Sequence, residues 1–423
     1  METQADLNGC DYLMLGFDHE LRRGGFAGNS CQIVLELGSA ISLEVLESRL
    51  AKLIERYPIL RARPGGFITP RWHCNGNSVT LPRVRLHNGE SSLMYETFNE
   101  PLALRRGELL RFDLFHKPDR QMTLVFSWVH ALMDAPGAEH FLALLAHGEL
   151  RAARIQQARR PGPTPPLKER IRSAWKYLDH LDEFCKFPPR ALGCRHPEAP
   201  PALHHLVLKM SGEESERVRA NSARYAGVLG EAQYHAAASV VELHRLHQRV
   251  GCHSPSYVLP FPVGLRLKGS IEPLFSNQVS MLMFQFLPDQ SDTLTDALAA
   301  IKLQTSHAMR TGLFDCGRTL SELFRFLPLP IYVAVLKHGL RGEICSLFYG
   351  DISAVNPQLT DFLGAPVEDF AHVAAVTPSP GLGVLFYHFR GLLRITVLHS
   401  TQVLSDVEAI EFGVNIKQRL LEP

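Results

Sequence analysis

A run of apolar, β-prone residues, Leu124-Val-Phe-Ser-Trp-Val129, delivers His130 and, four residues later, Asp134, before Pro136 and Gly137. The run reads as a strand that carries an imidazole to its end, and Pro136 suits the opening turn of a helix. The chain is thereby committed to a strand, a short excursion out of a sheet, and a helix. A His-x-x-x-Asp spacing alone is expected about once by chance in a chain of this composition, so its weight comes from that context. Strand ends commonly carry function, because a rigid sheet fixes direction while the loop gives access. The pair suggests a general base and a carboxylate that organises its surroundings.

With 423 residues, 45% of them hydrophobic, the chain can bury large cores, and a typical domain of roughly 150 residues makes two or three units the natural expectation. The net charge of +1 and the lack of an aromatic-basic stripe exclude a nucleic-acid partner. The start, Met1-Glu-Thr-Gln-Ala-Asp-Leu-Asn8, has neither the basic residues nor the apolar core of a signal peptide, and no stretch approaches 18 uninterrupted apolar residues. A cytoplasmic protein without a transmembrane segment is expected. The eight cysteines are dispersed with no C-x-x-C pair, so they read as reduced packing residues rather than a disulfide framework or a zinc site.

Along the chain, strands are expected at Gln32–Leu37, Arg111–Lys117 and Met122–His130, the last two joined by a turn at Pro118-Asp119. Helical periodicity over Ser42–Tyr57 puts Leu43, Leu46, Leu50, Leu53 and Tyr57 on one face, and Pro58 stops it. The basic stretch Arg151–Arg160 and Pro161-Gly-Pro-Thr-Pro-Pro166 break the pattern. The expected division is an N-terminal lobe over 1–160, a proline-rich linker and bridging helix over 161–201, and a C-terminal lobe over 202–423. Within that last part, strands are expected at Leu203–Met210, Ser256–Val263, Gln278–Leu287 and Ile344–Ile352, with a hairpin over Leu382–Leu398 turning at Arg390-Gly391. Helices are expected at Leu167–Cys185, Glu213–Ala226, Glu231–Val250 and Thr293–Arg310. Ser405-Asp-Val-Glu408 announces a closing helix with Val407, Ile410 and Val414 behind it.

Several of these features together resemble the chloramphenicol acetyltransferase-like superfamily, which includes peptide-synthetase condensation domains, wax ester synthases and polyketide-associated acyltransferases. They are the helix ending Glu55-Arg-Tyr-Pro-Ile-Leu-Arg-Ala-Arg63, the His130 and Asp134 pair, Pro262-Val-Gly-Leu-Arg266, Ser276-Asn277 and the closing strand-strand-helix. The resemblance implies an α/β fold of two similar lobes, mixed sheets with covering helices, in a V shape with an interlobe tunnel. It implies a stand-alone acyltransferase that moves an acyl group from a thioester of coenzyme A or a carrier protein to an alcohol or amine, in lipid or secondary metabolism. His130 would be the general base. Asp134 would pair with Arg266 in a structural role, and Ser276, Asn277, Ser353 and Asn356 would be candidate oxyanion or substrate contacts.

The residue chemistry agrees. An imidazole titrates near pH 6.5 and can shuttle a proton without an extreme environment. A thioester has a good leaving group, so no covalent nucleophile is needed, and no G-x-S-x-G elbow occurs. No permanently bound cofactor is expected; the acyl-coenzyme A or phosphopantetheine thioester is a co-substrate, with a carrier protein as the candidate macromolecular partner. The chain departs from the condensation-domain pattern where Val129 replaces a first histidine and Ala135 a glycine, and only Gly350 survives of a late motif over Cys345–Ser353.

Other candidates are weaker. His235, His244, His247, Cys252 and His253 lack the spacing and carboxylate of a metal site, and no metal is expected. Arg151, Arg154, Arg159 and Arg160 could meet phosphates, but read as a solvated charge run. Leu320–Leu340 is apolar yet interrupted by Pro328, Pro330 and Lys337, as a core or tunnel wall would be. Two rival readings remain: an amide-forming condensation enzyme on carrier-bound substrates, and a catalytically degenerate recruitment scaffold.

Overall fold

Every residue of the strand Met122–Val129 is buried, including the polar Thr123 and Ser127, because the strand lies inside a sheet covered on both faces. The computed structural model describes residues 4–66, 70–74, 82–87, 93–117, 121–148, 165–266, 273–338 and 341–422. In chain order the elements are β1 (Gln4–Asp6), α1 (Gly9–Arg23), β2 (Ser30–Leu37), α2 (Leu43–Arg56), β3 (Arg63–Gly65), β4 (Arg71–His73), β5 (Arg83–His87), α3 (Leu93–Phe98), β6 (Leu110–His116), β7 (Met122–Val129), α4 (Ala135–His147) and α5 (Leu167–Phe184). They continue with β8 (Leu203–Lys209), α6 (Gly212–Tyr225), α7 (Glu231–Arg249), β9 (Tyr257–Gly264), β10 (Val279–Phe286), α8 (Leu294–Thr311), α9 (Leu313–Phe324) and α10 (Leu329–His338). The last are β11 (Phe348–Ala354), β12 (Asp361–Phe362), β13 (Ala365–Ala374), β14 (Leu382–Phe389), β15 (Leu392–Ser400) and α11 (Asp406–Leu421).

A six-stranded mixed sheet runs β12-β13-β2-β7-β6-β5, with only β5 and β6 parallel. A four-stranded sheet runs β11-β14-β15-β8, with β11 and β14 parallel. The β9-β10 ribbon joins that region through Ser346, whose N–H donates to the Val258 carbonyl at 2.7 Å. Strand β13, unforeseen in the sequence, crosses from the C-terminal part of the chain to pair with β2, Ala374 opposite Cys31. Its Asp369 also accepts from Arg394 of β15 at 3.3 Å, so one strand ties both sheets together. One large core packs α2 and α4 on the six-stranded sheet; another packs α7 and α11 on β14 and β15.

Local signals hold where they are chemically specific. The hairpin turns at Arg390 and Gly391, both at positive φ (51° and 77°), which is the left-handed pair a two-residue turn of matching twist requires. Ser405 and Glu408 cap α11 reciprocally. The apolar face of that helix is not the expected one. Ala409, Phe412, Ile416 and Leu420 are buried, whereas Val407 is 74% exposed and Ile410 and Val414 face solvent. Proximity to the cap suggested the wrong stripe of the same helix. The turn at Pro118-Asp119, the basic stretch Arg151–Arg160 and residues 161–164 lie outside the described residues. No helix among the described residues is long and apolar enough to cross a membrane.

Candidate active site

His130 begins the turn that leaves β7. The turn is tied down on each side: the His130 N–H donates to the Asn29 carbonyl at 3.0 Å, and the Trp128 indole N–H donates to the Met133 carbonyl at 3.0 Å. Asn29 is itself buried and held by Asp18, which accepts its backbone N–H at 2.9 Å. The imidazole Nδ1 is sealed from solvent with no hydrogen-bond partner of good geometry among the described residues. Burial pulls its pKa below the usual histidine value, against the opposing pull of its own carbonyl, Asp134 and the Asn277 side chain. Burial thus favours the neutral ring, the state a general base requires.

Asp134 is the N-cap of α4, and its Oδ1 accepts the Gly137 N–H at 2.9 Å. Arg266, expected as its partner, meets it with two nitrogens: Nη2 to Oδ1 at 2.8 Å and Nε to Oδ2 at 3.3 Å. The Gln278 N–H adds a bond to Oδ2 at 2.9 Å. Arg266 also donates to the carbonyls of Pro273 at 2.7 Å and Ser276 at 3.0 Å, so it clamps the segment after β9 onto the start of α4. The carboxylate is fully committed. Ala135 lies in the first helical turn at ordinary negative φ and is not strained by its Cβ. The glycine that this geometry does require is Gly137, where a Cβ would stand 2.7 Å from the Leu274 carbonyl and 3.2 Å from Arg266 Nη2.

Asn277 and Ser276 join the same network. The Asn277 Nδ2 donates to the His130 carbonyl at 2.9 Å and to Asp11 Oδ1 at 2.9 Å, and its backbone N–H donates to Asp11 at 2.7 Å. Ser276 Oγ accepts from Asn8 Nδ2 at 2.8 Å and from Gln278 Nε2 at 2.9 Å. Asn8 and Asp11 form the capping box of α1, which the sequence reading passed over. An N-x-x-D signature was present there to find. Burial pushes the Asp11 carboxyl up to about 7, although the N–H groups of Asn277 and Asn8 favour its charged form.

A cavity of about 1310 Å³ opens beside this network. Asn8, Cys10, Asn277 and Gln278 are on its wall, together with apolar side chains such as Phe17, Met281, Phe324 and Phe348. Leu320, Tyr332 and Leu336 of the apolar segment 320–340 line it too. His130 itself is not a lining residue, whereas Asn277, which donates to its carbonyl, is. Tyr177 of α5 packs on Gly317 and donates its hydroxyl to the Met281 carbonyl at 2.8 Å.

Ser353 and Asn356 are not joined to His130 by any described contact. Ser353 is exposed at a bulge in β11 with φ 66°. Asn356 donates its backbone N–H to Glu139 Oε2 at 2.7 Å and lies 3.0 Å from His140, one to two turns along α4. The histidines around α7 bond separately: His235 to Asp351 at 2.8 Å, His244 to Tyr257 at 2.9 Å and Asp292 at 3.1 Å. They form no shared centre among the described residues.

Compared with solved structures, the chain aligns over nearly its whole length. The first condensation domain of the calcium-dependent antibiotic synthetase, in complex with a substrate analogue, matches with a TM-score of 0.70 at 14% identity, over 100% of this chain and 96% of that one. The chain has the condensation-domain fold. The trichothecene 15-O-acetyltransferase of Fusarium sporotrichioides matches with a TM-score of 0.66 at 13% identity, covering 99% of this chain and 95% of that one. The condensation domain of the monacolin K polyketide synthase gives 0.63 at 13% identity, over 99% and 96%. These neighbours stand within the chloramphenicol acetyltransferase-like superfamily, whose fold the chain shares. No family model and no curated protein matches the sequence.

Proposed function

We propose that the protein is an acyltransferase that moves an acyl group from a thioester to an alcohol or amine, with His130 as the general base. The observation that carries this reading is the commitment of Asp134. Its two oxygens are taken by Arg266, Gly137 and Gln278, which leaves the neutral imidazole as the uncommitted base of the segment. In the reaction, the imidazole takes the proton of the acceptor as its oxygen or nitrogen attacks the thioester carbonyl. The tetrahedral oxyanion then collapses, the carbon–sulfur bond breaks, and the thiolate recovers the proton from the imidazolium.

Asp134 and Arg266 serve as the clamp that holds the base in place, and Asn277 fixes the His130 backbone at the cavity margin. Ser276 and Asn277 remain the candidate contacts for substrate; the N–H groups of Asn277 are already committed to Asp11 and the His130 carbonyl, which leaves only Ser276 as a candidate oxyanion donor. The apolar cavity suits a largely aliphatic or polycyclic substrate. The donor is a thioester of coenzyme A or of carrier-borne phosphopantetheine, presented to a two-lobed chain divided near 161–201. Neighbours whose names include an acetyltransferase and condensation domains support both ester and amide products.

A second reading, a recruitment scaffold without chemistry, is favoured by one observation: the cavity wall includes Asn277 but not the His130 ring. Thiol release separates the two. Acyl-coenzyme A and acyl-pantetheine donors with pooled alcohols and amines should give acceptor-dependent thiol release by the wild type, lost in a folded His130→Gln variant. Equal release by both proteins removes His130 as the base; silence from a broad panel favours the scaffold.

A further inference from the structure

Strands β8 and β15 pair in antiparallel register with His204 directly opposite His399, so both imidazoles project from the same face of the sheet. The first turn of α11 returns over that face and places Asp406 between them. Asp406 Oδ1 lies 2.9 Å from His204 Nδ1 and 3.0 Å from His399 Nε2, and the three donor atoms all fall within 4.8 Å of one another. The short connection from β15 to α11 brings His399 and Asp406 together, and His204 joins them from β8, about 200 residues away in the chain. His399 is 1% exposed, while Asp406 is 65% exposed and keeps one side of the cluster open to water.

We propose that His204, His399 and Asp406 form a binding site for a divalent first-row transition metal ion, Zn²⁺ being the ion that fits the donors. Two imidazoles and a carboxylate are nitrogen and oxygen ligands of the type zinc takes at about 2.0–2.2 Å, with solvent supplying a fourth position. Tetrahedral ligands at that radius stand about 3.3 Å apart. The two short contacts need to open by only a few tenths of an ångström to admit the ion. On binding, each neutral imidazole presents an unprotonated nitrogen to the ion and carries its one proton on the other ring nitrogen, so a ring that now donates to Asp406 changes tautomer and releases no proton. Further contacts surround the cluster. Tyr95 packs its ring against His204 with centroids 5.5 Å apart, the Leu203 carbonyl accepts from Asn99 at 2.9 Å, and Glu408, two residues along α11, is held by Arg195 at 2.7 Å. The ion would pin the outer strand β8 to β15 and to α11, a structural role separate from the chemistry proposed for His130.

The test is titration of the EDTA-treated full chain with Zn²⁺, followed by calorimetry and thermal melting, and with Co²⁺, followed by its visible ligand-field spectrum. Wild type should bind one equivalent more tightly than any background, melt several degrees higher, and give a four-coordinate Co²⁺ spectrum. His204→Ala and Asp406→Asn, both at partly exposed positions, should lose that equivalent and the spectrum. Their metal-free circular dichroism at 25 °C should remain native. Binding that is equal in wild type and His204→Ala is adventitious and overturns the site. So does a wild type whose melting Zn²⁺ leaves unmoved while His204→Ala melts lower in EDTA, because the groups would then be a hydrogen-bonded ion triad. Should His204→Ala fail to fold, a wild type without a stoichiometric Co²⁺ spectrum overturns it equally.

Discussion

Helix α4 carries two acid–base neighbourhoods, and they differ in what the fold leaves open. At its second turn Glu139 and His372 of β13 are both buried; Nε2 meets Oε1 at 2.8 Å, and the other Glu139 oxygen accepts the Asn356 N–H at 2.7 Å. Phe370 and Tyr387 close around the His372 ring. At the helix start the carboxylate is equally well satisfied, but by an arginine and two backbone N–H groups, so among the described residues the neighbouring His130 has no carboxylate bonded to it and keeps a sealed Nδ1 without a partner of good geometry. A buried polar group left unpaired costs free energy. The first site is a closed acid–base pair, whereas at the second the arginine takes the carboxylate and the imidazole is left beside it.

The comparison breaks most readily at His130. His130→Gln should lower turnover by about 10²–10⁴-fold, the range a general base contributes, while thermal melting stays near that of wild type. A large loss of melting temperature with little loss of turnover would reverse the two roles. Next in size, Glu139→Ala should cost about 3 kcal/mol in urea unfolding, because it strands His372 and the Asn356 N–H, while turnover per folded molecule is kept. Arg266→Lys replaces a two-pronged contact by a point charge and should lose about 2 kcal/mol of stability together with roughly tenfold in activity. Gly137→Ala should act at the same place, costing about 1–3 kcal/mol through its clash with the Leu274 carbonyl.

The smallest effects are in pH. Burial lowers the His130 pKa, so the acid limb of kcat/KM should fall below pH 6.5, and the stability tied to the neutral ring should be complete above that value and lost as pH falls. Asp11 has the opposite sign. Its folded pKa is raised to about 7, so it favours folding below its unfolded value of about 3.9, and that contribution is lost as pH rises through 7. Urea midpoints at pH 5 and pH 8 should therefore drop more in wild type than in Asp11→Asn; parallel changes would show that another group titrates.

Much of the site was legible because its signals are local. The strand, the excursion at His130 and the helix opened by Pro136 lie within fifteen residues, and each rests on short-range chemistry. Arg266 was reached only through the resemblance, since 132 positions separate it from Asp134. Asn8 and Asp11 sit at the far N-terminal end of the chain and meet Asn277 only when α1 packs on α9 and α10, which brings its start against the segment before β10, so a reading centred on His130 had no reason to include them. Ser353 was expected near the reacting carbonyl by analogy of position, but a bulge in β11 turns it to solvent.

By itself the sequence determined the strands at β2, β6, β7, β8, β9 and β10, the helices α2, α5, α6, α7 and α8, the hairpin turn at Arg390-Gly391, the cap of α11, and that one strand ends on a histidine followed four residues later by an aspartate. Periodicity, capping and turn chemistry act over a few residues and need no knowledge of what packs opposite. Tertiary structure alone decided that β13 crosses to β2, that Ala409 and Phe412 rather than Val407 and Ile410 face the core, and that His204, His399 and Asp406 converge. Those outcomes depend on the register and docking of elements distant in the chain, which are selected by the burial of whole faces at once.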